Sequence, residues 1–497
     1  MTASSSIPLP DARNRFALSA AIFLRLLALT HFIAFLSIWT QLSGLIGPHG
    51  ILPASDFLRR VHDQIDASAY FRLPTLCWLF GTDTFLNVLC AAGVALSLLL
   101  FANVAPALCL ALLWACYLSL VNVGQIFLGF QWDALLLETT FLAIFLAPWS
   151  LLPRWRLVEP PRFAHLLLRW LLFRLMFLSG VVKLSSGDPT WRDLTALSFH
   201  YETQPLPNPL AFWMHALTPA VHRACCAGMF TIELLVPFFL FAPRPLRHNA
   251  ALLLASLQLV VALTGNFAFF NLLSIALCLL ALDDAWWHSV LAAFRRKSFP
   301  PNETSSIRPV RWPWPSFAAA GLVVAYTSIL AAPAFDRTLR WPAWFDSAVS
   351  VVGPFNTFNN YGLFAVMTTS RPELIFEGSD DARDWLAYEF PYKPGDLARH
   401  PPIVAPLQPR LDWQLWFAAL GPPGQNPWVL SLCEHLLRGS PAVLALFEKN
   451  PFPQNPPRYV RVVRYDYHFT TPAERARTGR WWRRTPLDFY VPPSSLR

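Results

Sequence analysis

Apolar and polar positions along this chain fall in long blocks, not in short alternations. Mainly apolar runs occupy about 17–40, 84–101, 105–123, 132–149, 163–183, 224–241, 249–263, 268–282 and 317–332. A bilayer core about 30 Å thick takes about 20 helical residues. Backbone in lipid must also satisfy its own polar groups, which a helix does. About nine transmembrane helices are therefore predicted, with very short connections inside 84–123 and 249–282.

From about Pro333 the texture changes: charge and proline return and no further run of that length occurs. Glu373–Glu377 alternates as a short strand between Arg371-Pro372 and Gly378-Ser379-Asp380-Asp381, and Trp385–Tyr392 reads as a second, closed by Lys393-Pro394-Gly395. Arg458–Thr470 has a period of two, with Tyr459, Val463, Tyr465, Tyr467 and Phe469 on one face. Trp413–Leu420, Trp428–Leu437 and Ala442–Phe447 read as helices. The fold expected is a polytopic α-helical membrane domain over 1–332 and a soluble α+β, β-sandwich-like domain over 333–497. The proline-rich stretch Phe299–Pro315 is a cytoplasmic linker in this scheme, which puts the sequon Asn302-Glu303-Thr304 on the wrong side for glycosylation.

Composition sharpens this picture. Hydrophobic residues make up 55% and charged residues 14%, against about 25% charged in a soluble domain. The net charge of +9 forms no dense aromatic-interleaved patch, so a nucleic-acid partner is not expected. Instead the basic residues set topology. With the N-terminus in the cytoplasm, the inside segments hold Arg13, Arg15, Arg154, Arg156, Arg162, Arg244, Arg247, Arg295, Arg296, Lys297, Arg308 and Arg311. The outside loops hold only Arg59, Arg60, Arg72, Arg192 and Arg223. The positive-inside rule favours that orientation, and an odd span count places the C-terminal domain in a periplasm or an endoplasmic reticulum lumen. The first run is too long for a signal-peptide core and carries Arg25 and His31, expected as helix–helix contacts. Six of the eight cysteines lie in or beside apolar runs and none forms a CxxC pair, so neither a disulfide framework nor a zinc site is expected. No GxSxG elbow, Walker A loop, GxGxxG or HExxH occurs, and no cofactor or metal is expected.

Several strings carry a resemblance. Gln131-Trp132-Asp133-Ala134-Leu135-Leu136-Leu137-Glu138-Thr139, Phe199-His200-Tyr201-Glu202-Thr203-Gln204-Pro205-Leu206-Pro207 and Thr264-Gly265-Asn266-Phe267-Ala268-Phe269-Phe270-Asn271-Leu272-Leu273 are similar to signatures of the lipase maturation factor family. In the soluble part so are Thr368–Glu373, Glu377-Gly378-Ser379, Gln408–Gln414 and Glu448–Phe452. The resemblance implies a membrane-resident folding factor for secreted proteins, with lipases as the implied clients and membrane lipid as surroundings. It would sit in the endoplasmic reticulum of a eukaryote or the inner membrane of a bacterium. The short N-terminus and tight loops suit a bacterial member. A second stretch, Phe177–Leu184 followed by Trp191–Leu197, resembles the horizontally transferred transmembrane domain found also in vitamin K-dependent carboxylase. There it implies a lysine base, which Lys183 matches. The alternative function is therefore a membrane enzyme modifying a lipid or secreted protein, with Lys183, Glu138 and Arg174 as its catalytic set. The non-catalytic folding factor is the preferred expectation.

Charge inside a membrane costs about 2.5–3.5 kcal/mol even on the insertion scale, so such residues need partners. Counting 1.5 Å per residue, Glu138, Arg174 and Glu233 fall at about 9, 13 and 14 Å from the outer surface. A Glu138–Arg174–Glu233 network, with Asp133 nearby, is expected to face a polar cavity or to pin helix packing. Lys183 is either a desolvated base or snorkels to the headgroups. His200, Tyr201 and Glu202 are expected in an outer loop, binding a partner or stabilising a turn. Arg410, Asp412, Trp413 and Trp416 are the client-contact candidates, with Asp412 as a helix N-cap and core packing as the alternative for the tryptophans. Trp481-Trp482-Arg483-Arg484 is a further candidate for client contact or the membrane interface.

Overall fold

The structure is a computed structural model and describes residues 15–80, 82–151, 157–294, 314–336 and 338–496. The basic residues Arg13, Arg154, Arg156, Arg295, Arg296, Lys297, Arg308 and Arg311 lie outside the described residues, as do Asn302 and most of the expected linker. The membrane part is built on α1 (Ala17–Trp39), α2 (Asp83–Phe101), α3 (Pro106–Val123), α4 (Gln131–Leu146), α5 (Arg162–Ser185), α6 (Pro219–Leu234), α7 (Arg244–Thr264), α8 (Phe270–Leu279) and α9 (Trp314–Leu330). Among the described residues seven helices are long and apolar enough to cross a membrane. An eighth span results if α8 and the helix Asp284–Ala292, bent by 101°, count as one.

The nine expected spans are not all counted by this measure: one that falls short is α4, although it runs from the end where Asp133 meets Arg410 to the end where Leu146 stands near Ala17. Its 16 residues cover only about 24 Å, and most of them are buried by neighbouring helices. In lipid, apolar side chains gain nothing by facing inward, so helix contacts depend on close packing and polar pairs. Gly93 supplies one such approach: a Cβ there would come within 2.3 Å of the Phe35 ring on α1.

The bundle has two distinct ends. At one, the Phe16 N–H donates to Glu159 (3.1 Å), the Leu18 N–H donates to Asp284 (3.0 Å), and Asp283 takes Arg244 (2.6 Å) and Arg247 (3.2 Å). At the other end the soluble domain packs on the C-terminal ends of α1, α3, α5 and α7 and on the start of α4.

That domain is a single antiparallel sheet of order β2-β1-β3-β4. Its strands are β1 (Pro372–Ser379), β2 (Leu386–Ala387), β3 (Tyr459–Phe469) and β4 (Trp482–Ser494). Leu374, Phe376, Val460 and Val462 pack on α10 (Arg410–Leu420) and α11 (Trp428–Leu437) through Leu411, Leu415, Val429 and Leu432. Ile375, Tyr467, Phe469 and Trp482 pack on the opposite face with Phe212. Helices thus cover the face that a second sheet would cover in a sandwich, and the sandwich expectation is corrected. The expected second strand shrinks to two residues plus a bridge between Glu389 and Lys449. Trp482 is buried in the core, which removes it as a surface contact, and the half-buried Trp481 stacks against Arg475 at 3.7 Å. Close fit continues across the domains: a Cβ on Gly44 would stand 2.5 Å from the Ala442 carbonyl oxygen.

Candidate functional site: the joint between the domains

Asp133, Glu138 and Glu233 are each brought against one cation, and the Asp133 pair crosses the domain boundary. Asp133 lies in the first turn of α4, where the helix N-terminus favours a carboxylate. Its partner is Arg410, the first residue of α10. The guanidinium grips both oxygens, Nη2 to Oδ1 at 3.0 Å and Nη1 to Oδ2 at 3.1 Å, and Nη1 also donates to the Phe127 carbonyl at 2.7 Å. The Tyr117 hydroxyl donates to Asp133 Oδ1 at 2.5 Å. Asp133, Tyr117 and Arg410 are all fully buried. A bidentate, planar grip of this kind needs arginine and not lysine. Neighbouring signature residues repeat the crossing: Trp132 Nε1 donates to Gln408 Oε1 (2.7 Å), and the Arg410 N–H donates to Gln41 Oε1 (2.8 Å).

One and a half turns deeper on α4, Glu138 is ion-paired with Arg174 of α5. The second Glu138 oxygen accepts from the Tyr361 hydroxyl (2.7 Å) and the Asn359 N–H (2.9 Å), while Arg174 Nη1 donates to the Asn359 carbonyl (2.9 Å). The segment leading into the soluble domain is thereby stitched into the bundle. Glu233 does not join this set, which corrects the expected three-residue network. Its carboxylate takes Lys183 instead, at 2.8 and 3.0 Å, and Lys183 also donates to the Ser179 carbonyl (3.1 Å) and lies 5.5 Å from the Trp191 ring centroid. Lys183 is buried, so it does not snorkel, and its carboxylate is not Glu138. The catalytic grouping of Lys183, Glu138 and Arg174 is thus divided between two separate pairs.

The outer loop is held in the same way. Arg371 is fully buried and donates to the carbonyls of Glu202 (2.7 Å), Gln204 (2.5 Å) and Pro205 (2.9 Å). Glu373 balances it at 2.8 Å and also takes Lys393 at 3.0 Å. The Glu202 carboxylate accepts the Phe469 N–H (2.5 Å) and faces His468 Nδ1 (3.3 Å). Tyr201 is buried, with its ring 5.7 Å from that of His222. Burial, and then the nearby Lys183 ammonium, hold the His200 imidazole down at about 4, so it is neutral near pH 7.

The proposed client contacts are not surface groups. Arg410, Asp412, Trp413 and Trp416 are all buried. Trp413 stacks edge-on against Trp132 at 4.7 Å, and Trp416 Nε1 donates to the Thr203 carbonyl at 2.9 Å. Asp412 does not cap α10, whose N-cap position is Pro409. It accepts the backbone N–H groups of Tyr392 (2.9 Å) and Lys393 (2.8 Å).

Burial pushes the Asp412 carboxyl up to about 6, the two N–H bonds notwithstanding. Its folded value exceeds the unfolded one near 3.9, so the native state binds the extra proton between the two values. Stability from this group is therefore present at pH 4 and is lost as pH rises through 6. Asp412→Asn keeps the acceptor without the charge. It is expected to gain on the order of 3 kcal/mol relative to the parent between pH 4 and 7. Thermal midpoints of both proteins across that range check this; a pH-independent difference would refute it.

Sequence reasoning did not single out Tyr117, Asn359, Tyr361, Arg371 or Gln408 as site residues. Tyr117 left a signal, a phenol within an apolar run. Arg371 left another, a charge two positions before Glu373 in a strand.

Comparison with known proteins follows the same lines. A family model described as the lipase maturation factor transmembrane domain matches residues 18–289, and one described as the lipase maturation factor C-terminal domain matches residues 357–492. Lipase maturation factor 2 of Homo sapiens is 36% identical over 595 residues, covering 96% of this chain and 82% of that protein. Lipase maturation factor 1 of Mus musculus is 35% identical, covering 97% and 88%, and that of Bos taurus is 37% identical, covering 97% and 89%. No solved structure matches. Both domains and nearly the full length agree, and the chain belongs to the lipase maturation factor family.

Proposed function

We propose that this integral membrane protein is a non-catalytic maturation factor that assists folding of secreted lipases, its soluble domain working on the extracytoplasmic side. One observation carries the proposal: the soluble domain is clamped by buried pairs to the bundle end opposite the one that holds Arg15, Arg162, Arg244 and Arg247. The positive-inside rule makes the arginine-rich end cytoplasmic. The other end then faces the compartment where exported proteins fold, an endoplasmic reticulum lumen or a periplasm. The engagement of Lys183 Nζ by both Glu233 oxygens and the Ser179 carbonyl supports a structural role over that of a base.

The test is rescue of lipase secretion in cells that lack their own maturation factor. The full chain is expected to raise secreted lipase activity, and a chain ending after Ala332 is expected to give none. Lys183→Met combined with Glu233→Leu removes the pair without leaving a lone charge and is expected to keep the rescue. Loss of rescue by that double variant at normal abundance would overturn the non-catalytic proposal in favour of a membrane enzyme.

A further inference from the structure

Arg25 stands on α1 about 12 Å along the axis from Ala17, within a helix long and apolar enough to span. It is half-buried, and its Nη1 donates to the Ala21 carbonyl of its own helix at 2.9 Å. Among the described residues no carboxylate lies within ion-pair distance of it, whereas Arg174, Lys183 and Arg247 each have one. A cation in an apolar span without a counter-charge is the costly case. Arg25 borders an open groove between α1, the end of α4 and the α2–α3 turn, lined by Ala17, Ala21, Leu24, Leu146 and Leu157. The space that a water-sized sphere can occupy there is about 50 Å³, against about 10–15 Å³ for one water, which is room for a phosphate-sized group. The alanines leave one wall of the groove low.

We infer that this groove binds the headgroup of one phospholipid of net negative charge, its phosphate on the Arg25 guanidinium. Guanidinium and phosphate match in a two-bond fork, and a headgroup of net charge −1 neutralises the Arg25 cation. A zwitterionic headgroup brings a second cation and does not. The site lies toward the bundle end remote from the soluble domain, so it is separate from any client contact.

The experiment uses the full chain in detergent, titrated with phosphatidylglycerol or with phosphatidylcholine of the same acyl chains, and counts retained lipids by native mass spectrometry. Wild type is expected to retain one phosphatidylglycerol more than phosphatidylcholine. Arg25→Ala should lower that retention at least about tenfold, with Arg25→Lys intermediate. Ala21→Leu keeps the cation but fills the groove and should lower it as well, so a poorly folding Arg25→Ala does not leave the question open. Equal retention of the two lipids by wild type, or unchanged phosphatidylglycerol retention in either Arg25→Ala or Ala21→Leu, would overturn the inference.

Discussion

Arg410→Ala is expected to cost about 3–5 kcal/mol, because it strands the Asp133 carboxylate in a fully buried site. The loss has three parts: the bidentate pair, the bond to the Phe127 carbonyl, and the desolvated charge left behind with only Tyr117 as donor. Removing both charges is a different case. Arg410→Met with Asp133→Leu takes away the uncompensated ion and fills its volume, and such replacements are often neutral or better. The double variant should therefore recover most of the stability that the single variant loses. Thermal midpoints in detergent measure the stability, and proteolysis of the connection near residues 340–370 reports whether the domains have come apart. If the single variant melts with the parent, the joint is not where this structure puts it.

Much of the membrane part was legible because lipid forces long apolar runs to be helices, and seven of the expected runs are such helices. The strings that signalled the family were legible too, but their purpose was not. Asp133 and Arg410 stand 277 positions apart, and nothing local to either one indicates the other. Depth was read by counting residues, which assumes that all helices start in one plane and run along one axis. That count put Glu138 and Arg174 at compatible levels, and they pair. It failed for Glu233, which stands about 21 Å along α6 from Pro219 yet meets Lys183 two residues from the end of α5, so these helices do not begin in one plane. Strand β4 was missed because Arg483, Arg484, Pro486, Pro492 and Pro493 break any alternation. An edge strand needs a ladder on one side only and tolerates proline. Residue type left client contact and core packing both open for Trp413 and Trp416, and their burial decides for packing, since a tryptophan beside a buried arginine suits a dry joint.

Glu138→Ala should be as damaging as the loss of Arg410, at about 3–5 kcal/mol, because Arg174 is then left charged and buried. The Tyr361 hydroxyl and the Asn359 N–H lose their acceptor in the same step. Glu138→Gln keeps an acceptor for these two donors but not the charge, so it should fall between Ala and wild type. Two separate pairs also make a prediction that a shared network does not. In a double-mutant cycle, Glu138→Gln and Arg174→Met should couple strongly, since each removes the reason for the other. Glu138→Gln and Lys183→Met share no partner in the structure and should add within about 0.5 kcal/mol. Thermal midpoints of the four proteins in each cycle decide the matter. Coupling between Glu138 and Lys183 as large as that between Glu138 and Arg174 would mean that the charges act as one cluster. The pairwise division on which the non-catalytic assignment of Lys183 rests would then fail.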